Sequence, residues 1–579
     1  MAEHGARKDR QRRLRGNTIF AAVLPGALAG TQLAGLLFFL NPHLPFEGGT
    51  ILRGVSFFST LLGIAGCVAL VLLSRGRGAR IRRWLPWSLT FVLAAASTSA
   101  WVHASFYAFY LPSGINRRLI KAGIWLGLAA FICFYIALAH GLQRRPYGRR
   151  SRTVITLVAL ATVYVVLERR DAFKPRLEPA PRPTTFAGTA PQLIVVGIEA
   201  ATLDVVLPLA EQGQLPFFSR ILAEGASARM QTLEPVRRLP LWTSLATGKM
   251  PFEHKVVDQR TYGAAYLGLN TNLRLLPIGV GFRQWAVLGD QKVTTDARQT
   301  LALWEILSRL GLRTALVGWP LISEDAEPAA SVGLSEDFFT GDNGLAWPTE
   351  VAERARLFQP PEIGPEESAP FGPDPPGVLL DAVAADLWRQ DLSYFLLDQY
   401  EIDAFFVLLP GLREVSREFF GGYSAVRFEG VQEKELAEAE QFIEAYYARL
   451  DEFLARLWER GRDSRLLVVV SVHGTEDLPS WQKAWSMLSG QSQRRGSFSG
   501  APDGLLALMG EGVQGTRLGL AQLVDMMPTL LYGLGFPVAR DLEGAVLTDA
   551  FDTGFLARRP LTFLPSYETF TGNLEGREP

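Results

Sequence analysis

Two imidazoles, His254 and His473, are the only histidines beyond residue 170 of this 579-residue chain, and both cysteines, Cys67 and Cys133, fall inside apolar segments. Thiolate metal chemistry is therefore excluded from the polar part of the chain. What remains are carboxylates, hydroxyls and guanidiniums, and their placement is informative. The apolar run 192–199 ends on Glu199, the run 404–410 leads into Arg413 and Arg417, and the run 465–472 ends at Val472 beside His473. Carboxylate and imidazole suit a divalent cation and metal-assisted hydrolysis. Guanidinium is always charged and has no acceptor, so Arg413 and Arg417 would repel a cation and favour an anion. Thr243 and Ser244 offer hydroxyls, but within a helix, where capping and packing explain them better than nucleophilic attack. Glu476, Asp477 and Asp503 read as solvated loop carboxylates.

The elements that must position these residues follow from periodicity. Short β-rich runs at 192–199, 313–319, 404–410, 465–472 and 504–510 alternate with amphipathic helical stretches at 301–311, 378–399, 432–460 and 519–534. Continuous apolar strands between helices predict a parallel sheet covered on both faces. The expected fold class is α/β: a doubly wound, mostly parallel sheet flanked by helices, over residues 192–558. Gly- and Pro-rich stretches at about 255–300 and 340–376 are expected as insertions forming a cap or surface loops, and 559–579 as a C-terminal tail. Ligands of such sheets bind beyond the carboxyl ends of the strands, where Glu199, Arg413 and His473 fall.

The motifs are more specific than the pattern. GIEAAT (Gly197 to Thr202), LPFFSRILAEG (Leu215 to Gly225) and RLPLWTSLATGKMPFEHKV (Arg238 to Val256) are followed by LALWEILSRLGLRTALVGWP and LGLAQLVDMMPTLLYGLGFPVARDLEGAVL. This series resembles the type I phosphodiesterase and nucleotide pyrophosphatase branch of the alkaline phosphatase superfamily, across most of residues 192–550. The resemblance implies an alkaline-phosphatase-like α/β/α fold, two bound divalent cations, usually zinc, held by Asp and His, and a Ser or Thr nucleophile at a helix N-terminus. In this chain those positions depart. The first Asp ligand corresponds to Glu199 and the nucleophile to Arg238, with Pro240 in the first turn of the helix that follows. A GxDxxxH-type motif aligns with GLREVSR, placing Arg413 at the Asp and Arg417 at the His. An SDHG-type motif becomes SVHG, so Val472 replaces the Asp and His473 survives. The last His falls on Gly500. Sites of this family use three histidines as ligands, and His254 matches a position that is not one. No metal cofactor is therefore expected. The arginines are expected to pair with Glu199, to accept an anion such as phosphate, sulfate or a carboxylate, or both.

The first 170 residues belong to a different solvent. Apolar stretches at about 18–40, 54–74, 85–110 and 122–142 are long enough to cross about 30 Å of hydrocarbon. A fifth, about 152–168, is short and flanked by arginines that can snorkel. A basic tail, 1–17, precedes them, and a Pro-rich linker, 169–191, follows. Residues 1–170 carry 22 Lys and Arg against 4 Asp and Glu, leaving 36 against 54 for the remainder. Basic residues concentrate before the first stretch and after the second and fourth, so the positive-inside rule places the N-terminus in the cytoplasm. Five spans then put the polar part outside an inner membrane. Its acidic balance argues against nucleic acid as a partner. The bilayer, an anionic ligand or an envelope protein are the partners expected. The leading expectation is a membrane-anchored pseudoenzyme acting as a binding or regulatory module of the envelope. The alternatives are an active hydrolase or transferase on phosphate or sulfate esters, and a structural subunit of an envelope assembly.

Overall fold

The computed structural model describes residues 23–568 apart from 46, 74–80, 144–148, 168–189, 269–271, 279–281, 287, 323–330, 342–343, 424–432, 477–495, 499 and 501. The basic tail, nearly all of the linker, Asp477 and the last part of the C-terminal tail lie outside the described residues. The chain divides into two compact units.

The first unit comprises Met1–Pro175 together with Val257–Val293. Its helices are α1 (Val23–Leu40), α2 (Gly48–Leu73), α3 (Ile81–Phe106), α4 (Ser113–Leu142) and α5 (Arg149–Leu167). The first four are long and apolar enough to cross a membrane. Gly26 and Gly30, four residues apart, let α1 approach the α2 backbone. A Cβ at these positions would lie 2.3 Å from the Leu62 carbonyl oxygen and 2.4 Å from the Phe58 backbone. Small residues at this spacing are what helix packing in lipid requires. The shorter α5 belongs to the same bundle: Trp125 Nε1 donates to Thr162 Oγ1 at 3.3 Å, and Val158 and Val166 share a buried cluster with Leu28 and Leu126.

The stretch 255–300, expected as a cap or surface loops of the α/β domain, has a different allegiance. Val257–Val293 cluster with the helices. They carry a three-stranded sheet of Asn272–Leu273, Arg260–Gly263 and Gly289–Lys292. Asn41, fully buried at the end of α1, is the clamp. Its Nδ2 donates to the Leu37 and Leu275 carbonyls at 3.0 and 2.8 Å, while its Oδ1 accepts from the Arg274 and Leu275 amides at 2.6 and 3.0 Å. All the amide's hydrogen-bonding capacity is used, which makes its burial tolerable. His103 near the end of α3 is likewise satisfied. It accepts from the Ile278 amide through Nε2 at 2.7 Å and donates from Nδ1 to the Ser99 carbonyl at 2.6 Å.

The second unit is built on a nine-stranded sheet. In chain order its strands are β1 (Gln192–Ile198), β2 (Ala226–Gln231), β3 (Thr314–Trp319), β4 (Val332–Ser335), β5 (Ala346–Trp347), β6 (Ala404–Leu409), β7 (Arg465–Val470), β8 (Gly504–Gly510) and β9 (Thr516–Gln522). The spatial order is β9-β2-β8-β7-β1-β6-β3-β4-β5. All run parallel except β8 and β5. Alternate residues of β1 feed two cores. Leu193 and Val195 pack with Leu241 and Trp242 on one face, and Ile194, Val196 and Ile198 with Leu379 and Tyr446 on the other. Burial on both faces is why the central strands are apolar throughout.

Two expectations shift. The stretch 519–534 starts as strand, because β9 pairs with β2 along the sheet edge before Met526–Gly533 turns helical. Residues 340–376 hold β5 and two short helices, Thr349–Ala355 and Pro365–Ser368, so part of that insertion extends the sheet.

Candidate functional site

Four parallel strands deliver side chains to one end of the sheet. Glu199 follows β1 directly, and its amide bonds the Leu409 carbonyl at 3.0 Å. Glu336 follows β4. Pro410 and Gly411 turn β6 into helix Gly411–Tyr423, which presents Arg413 and Arg417. Ser471, Val472 and His473 follow β7. Arg238 is the first residue of helix Arg238–Thr247, after Arg237 in extended backbone, with Pro240 in the first turn.

The carboxylate of Glu199 is completely buried, and Arg238 closes on it through Nε. Arg238 Nη2 also pairs with Glu336 at 2.6 Å. Arg413 Nε approaches the other Glu199 oxygen at 3.7 Å, an oxygen with no hydrogen-bond partner. Arg413 pairs with Glu414 at 3.4 Å and lies over the Phe498 ring at 5.3 Å. Arg417, more than half exposed, pairs among the described residues with Glu414, at 3.9 Å. Burial alone would lower the Arg238 pKa, but Glu199 and Glu336 reverse this and raise it, so the guanidinium is firmly charged.

His473 is buried and donates from Nδ1 to its neighbour Gly474 at 2.8 Å. Burial above all lowers its pKa. The Gly474 carbonyl and Glu199 oppose that shift, and Arg413 and Arg238 add to it. The ring is therefore neutral at pH 7, with Nε2 the bare nitrogen. Val472 is fully buried in the apolar core on the Trp242 side of the sheet. Gly500 is exposed, and its amide bonds Glu476 at 3.0 Å. Of the residues singled out in the sequence, Glu199, Arg238 and Arg413 thus form one ion-paired group with His473 beside it. Arg417 lies at its edge through Glu414, while Val472 turns into the core. Thr243 bonds the Leu239 carbonyl and Ser244 bonds His254, so both hydroxyls are engaged within the core.

The structure adds residues that the motifs did not reveal. Asp386 and Arg389, one turn apart in helix Gly377–Gln399, are both buried behind the group. Burial pushes the Asp386 carboxyl up to about 6, with Arg389 and the Tyr446 hydroxyl opposing. Asp386 accepts from the Gly411 amide at 3.0 Å and from Tyr446 Oη at 2.8 Å. Arg389 stacks on Phe339 at 4.2 Å, and its Nε has no hydrogen-bond partner. The available signal was weak: Asp386 and Arg389 are two of several polar residues in the stretch, beside Asp381, Gln390, Asp391 and Asp398, and Glu336 directly follows β4. A Cβ on Gly411 would fall 1.8 Å from Tyr446 Oη and 2.6 Å from Asp386 Oδ2. Gly411→Ala is therefore expected to destabilise by about 3 kcal/mol, the upper end for overpacking. A denaturant titration of the full chain with an unchanged midpoint would refute this.

Among the described residues no group of three or more His, Cys, Asp or Glu is arranged to hold a metal ion. The arrangement neutralises carboxylates with guanidiniums at the strand ends, and among its described cationic groups Arg417 is the most exposed, with Arg413 half-buried beside it.

The family model described as type I phosphodiesterase / nucleotide pyrophosphatase matches residues 193–489, just over half of the chain. Solved structures to which the chain shows similarity include human ectonucleotide pyrophosphatase/phosphodiesterase 5, 9% identical, covering 62% of this chain and 100% of that one, with a TM-score of 0.38. An alkaline phosphatase PafA variant is 10% identical, covering 63% and 100%, with a TM-score of 0.39. The phosphonate monoester hydrolase of Silicibacter pomeroyi is 14% identical, covering 62% and 76%, with a TM-score of 0.35. No curated protein matches the chain. With a family model matching over half of its length, the chain belongs to the type I phosphodiesterase/nucleotide pyrophosphatase family.

Proposed function

We propose that this protein is a membrane-anchored, non-catalytic member of its family, a binding or regulatory module of the cell envelope. The observation that carries the reading is the enclosure of Glu199, at the end of β1, by Arg238 and Arg413. The residues present do not fit two divalent cations. A guanidinium has no lone pair to offer, and the one carboxylate at the first ligand position is already neutralised. His473 alone supplies imidazole there, and a single neutral nitrogen among three arginines is a poor cation site. Arg238 at the start of its helix also lacks any nucleophilic atom.

Arg413 and Arg417 are less completely matched by carboxylates than Arg238 and face the open side of the group. They suit an anionic ligand such as phosphate, sulfate or the carboxylate of an envelope protein. For the anchor, the packing of α5 into the helical unit supports five spans. A five-span anchor with its basic loops inside corresponds to a cytoplasmic N-terminus and an α/β unit outside an inner membrane.

The test is metal analysis of the purified full chain, combined with phosphatase, phosphodiesterase and sulfatase assays and a thermal titration with inorganic phosphate. Substoichiometric zinc, no turnover and a phosphate-dependent stabilisation lost in Arg417→Ala are the outcomes expected. Stoichiometric metal, together with turnover abolished by Glu199→Gln or His473→Ala, would establish a working hydrolase with an atypical site instead.

A further inference from the structure

The segment Val257–Val293 packs against one end of the helical unit, and four helix termini fix the depth of that end. The apolar spans Val23–Leu40 and Trp87–Phe106 finish there, and Gly48–Gly66 and Ser113–Leu142 begin there. Within the segment, Leu273 shares a buried cluster with Leu37 and Phe38, and Leu275 one with Leu36, Leu40, Tyr107 and Ile115. Arg274 lies between the two leucines, and its amide donates to Asn41 Oδ1 at 2.6 Å. Asn41 is the first residue beyond a span of 18 residues, which extends about 27 Å at 1.5 Å per residue, close to the roughly 30 Å of hydrocarbon. Arg274 therefore stands at the edge of the hydrocarbon, at the level of the lipid headgroups. The residue is half-buried, and its guanidinium makes no hydrogen bond or ion pair among the described residues. Burial lowers its pKa, with no carboxylate opposing the shift. The two carboxylates of the segment are engaged elsewhere. Asp290 takes both Arg260 and Arg283, the latter at 2.5 Å, and Asp258 accepts from the Gln259 amide at 2.7 Å.

We propose that Arg274 binds the phosphate of an anionic membrane phospholipid, whose headgroup docks against the Val257–Val293 segment. A guanidinium cannot shed its charge, and at this level the acceptors that match its planar fork are phosphodiester oxygens. The surrounding charge selects the kind of lipid. Residues 41–53, 107–121 and 257–293, which meet at this end, carry eight Lys and Arg against three Asp and Glu. That excess favours a headgroup of net negative charge over a zwitterionic one, whose own ammonium already neutralises its phosphate. A soluble anion would have no acyl chains to hold it at this depth. Phe106, Phe109 and Ile278, exposed apolar side chains at the same end, offer such chains a surface. The inference concerns the helical unit alone and does not depend on the strand-end arginines.

The probe is dioleoyl phosphatidylglycerol, compared with dioleoyl phosphatidylcholine, each added to the delipidated, detergent-solubilised full chain and read by native mass spectrometry. The wild type is expected to retain phosphatidylglycerol about tenfold more tightly than phosphatidylcholine, the worth of a hydrogen bond to a charged group. Arg274→Gln should bring phosphatidylglycerol down to the phosphatidylcholine level, and Arg274→Met gives the same test should the glutamine variant fail to fold. Arg117→Gln, which removes an exposed charge at the same end, should leave retention near the wild-type value. Excess inorganic phosphate should leave the lipid bound. Equal retention of the two lipids by the wild type, or a preference that survives loss of Arg274, would overturn the proposal. A loss in Arg117→Gln as large as in Arg274→Gln would replace a site by a diffuse field, and displacement by inorganic phosphate would make it a site for a soluble anion; either result sinks the proposal.

Discussion

Glu199→Gln is expected to destabilise the α/β unit by about 3–5 kcal/mol, the loss typical when one partner of a buried ion pair is removed. The glutamine keeps the shape and loses the charge. Arg238, whose side chain is 14% exposed against 0% for Glu199, would then have only Glu336 as a counter-ion, and Arg413 would lose a partner as well. The prediction has a second half that separates an ion-pair role from metal binding. In the double variant Glu199→Gln, Arg238→Met the buried charge disappears with its partner, and most of the lost stability should return, because replacing both members of such a pair by uncharged groups is often close to neutral. A metal-ligand role predicts no such recovery. It predicts that a chelator lowers the melting temperature of the wild type by as much as Glu199→Gln does. Denaturant titrations of the four species in the cycle, with and without chelator, decide between them.

Acidification is expected to cost the wild type about 1.4 kcal/mol per pH unit below 6.5 relative to His254→Asn, with the difference continuing towards pH 3. His254 is fully buried. Its Nδ1 accepts from the Val256 amide at 3.2 Å, so Nε2 carries the proton that meets Ser244 Oγ at 3.0 Å. Burial first, then Arg298 and Lys255, push the imidazole down to about 3 from its ordinary 6.5. The folded-state value lies below the unfolded one, so between pH 3 and 6.5 the unfolded chain binds the extra proton, and stability falls as pH falls through that window. Asp386 acts in the opposite sense. Its carboxyl, raised to about 6, contributes stability that is complete at low pH and lost as pH rises through 6. Comparing wild type with His254→Asn cancels Asp386 and His473 and isolates one proton. The asparagine oxygen can take over as acceptor from Val256. Parallel stability curves for the two proteins from pH 7 to 5 would show that His254 titrates normally and that the core around it is open to water.

Much of the second unit was legible because its elements carry local signals. The five apolar runs are strands, since a strand buried on both faces must be apolar at every position, and the long helix Glu433–Arg460 shows amphipathic spacing, whereas Gly377–Gln399 is helical but buries Asp386, Arg389 and Gln390 along with its apolar residues. Strands β2 and β9 escaped because ASARMQ and TRLGLAQ have no apolar run; they are strands through pairing at the sheet edge. Helix Gly411–Tyr423 was read only as a motif bearing arginines, although that motif correctly brought Arg413 to the end of β6.

The sequence by itself determined which chemical groups stand at the strand ends and where the apolar helices lie, because composition, periodicity and motif order are properties of contiguous residues. Tertiary structure alone decided how those groups are used. Arg238 closing on Glu199 and Glu336, Asp386 supporting Gly411, and Asn41 drawing residues 257–293 to the helical unit all join segments distant along the chain. A charge or an amide says nothing in sequence about which partner will satisfy it. Desolvation makes the choice, since a buried polar group must be matched by whichever complementary group the fold brings within reach.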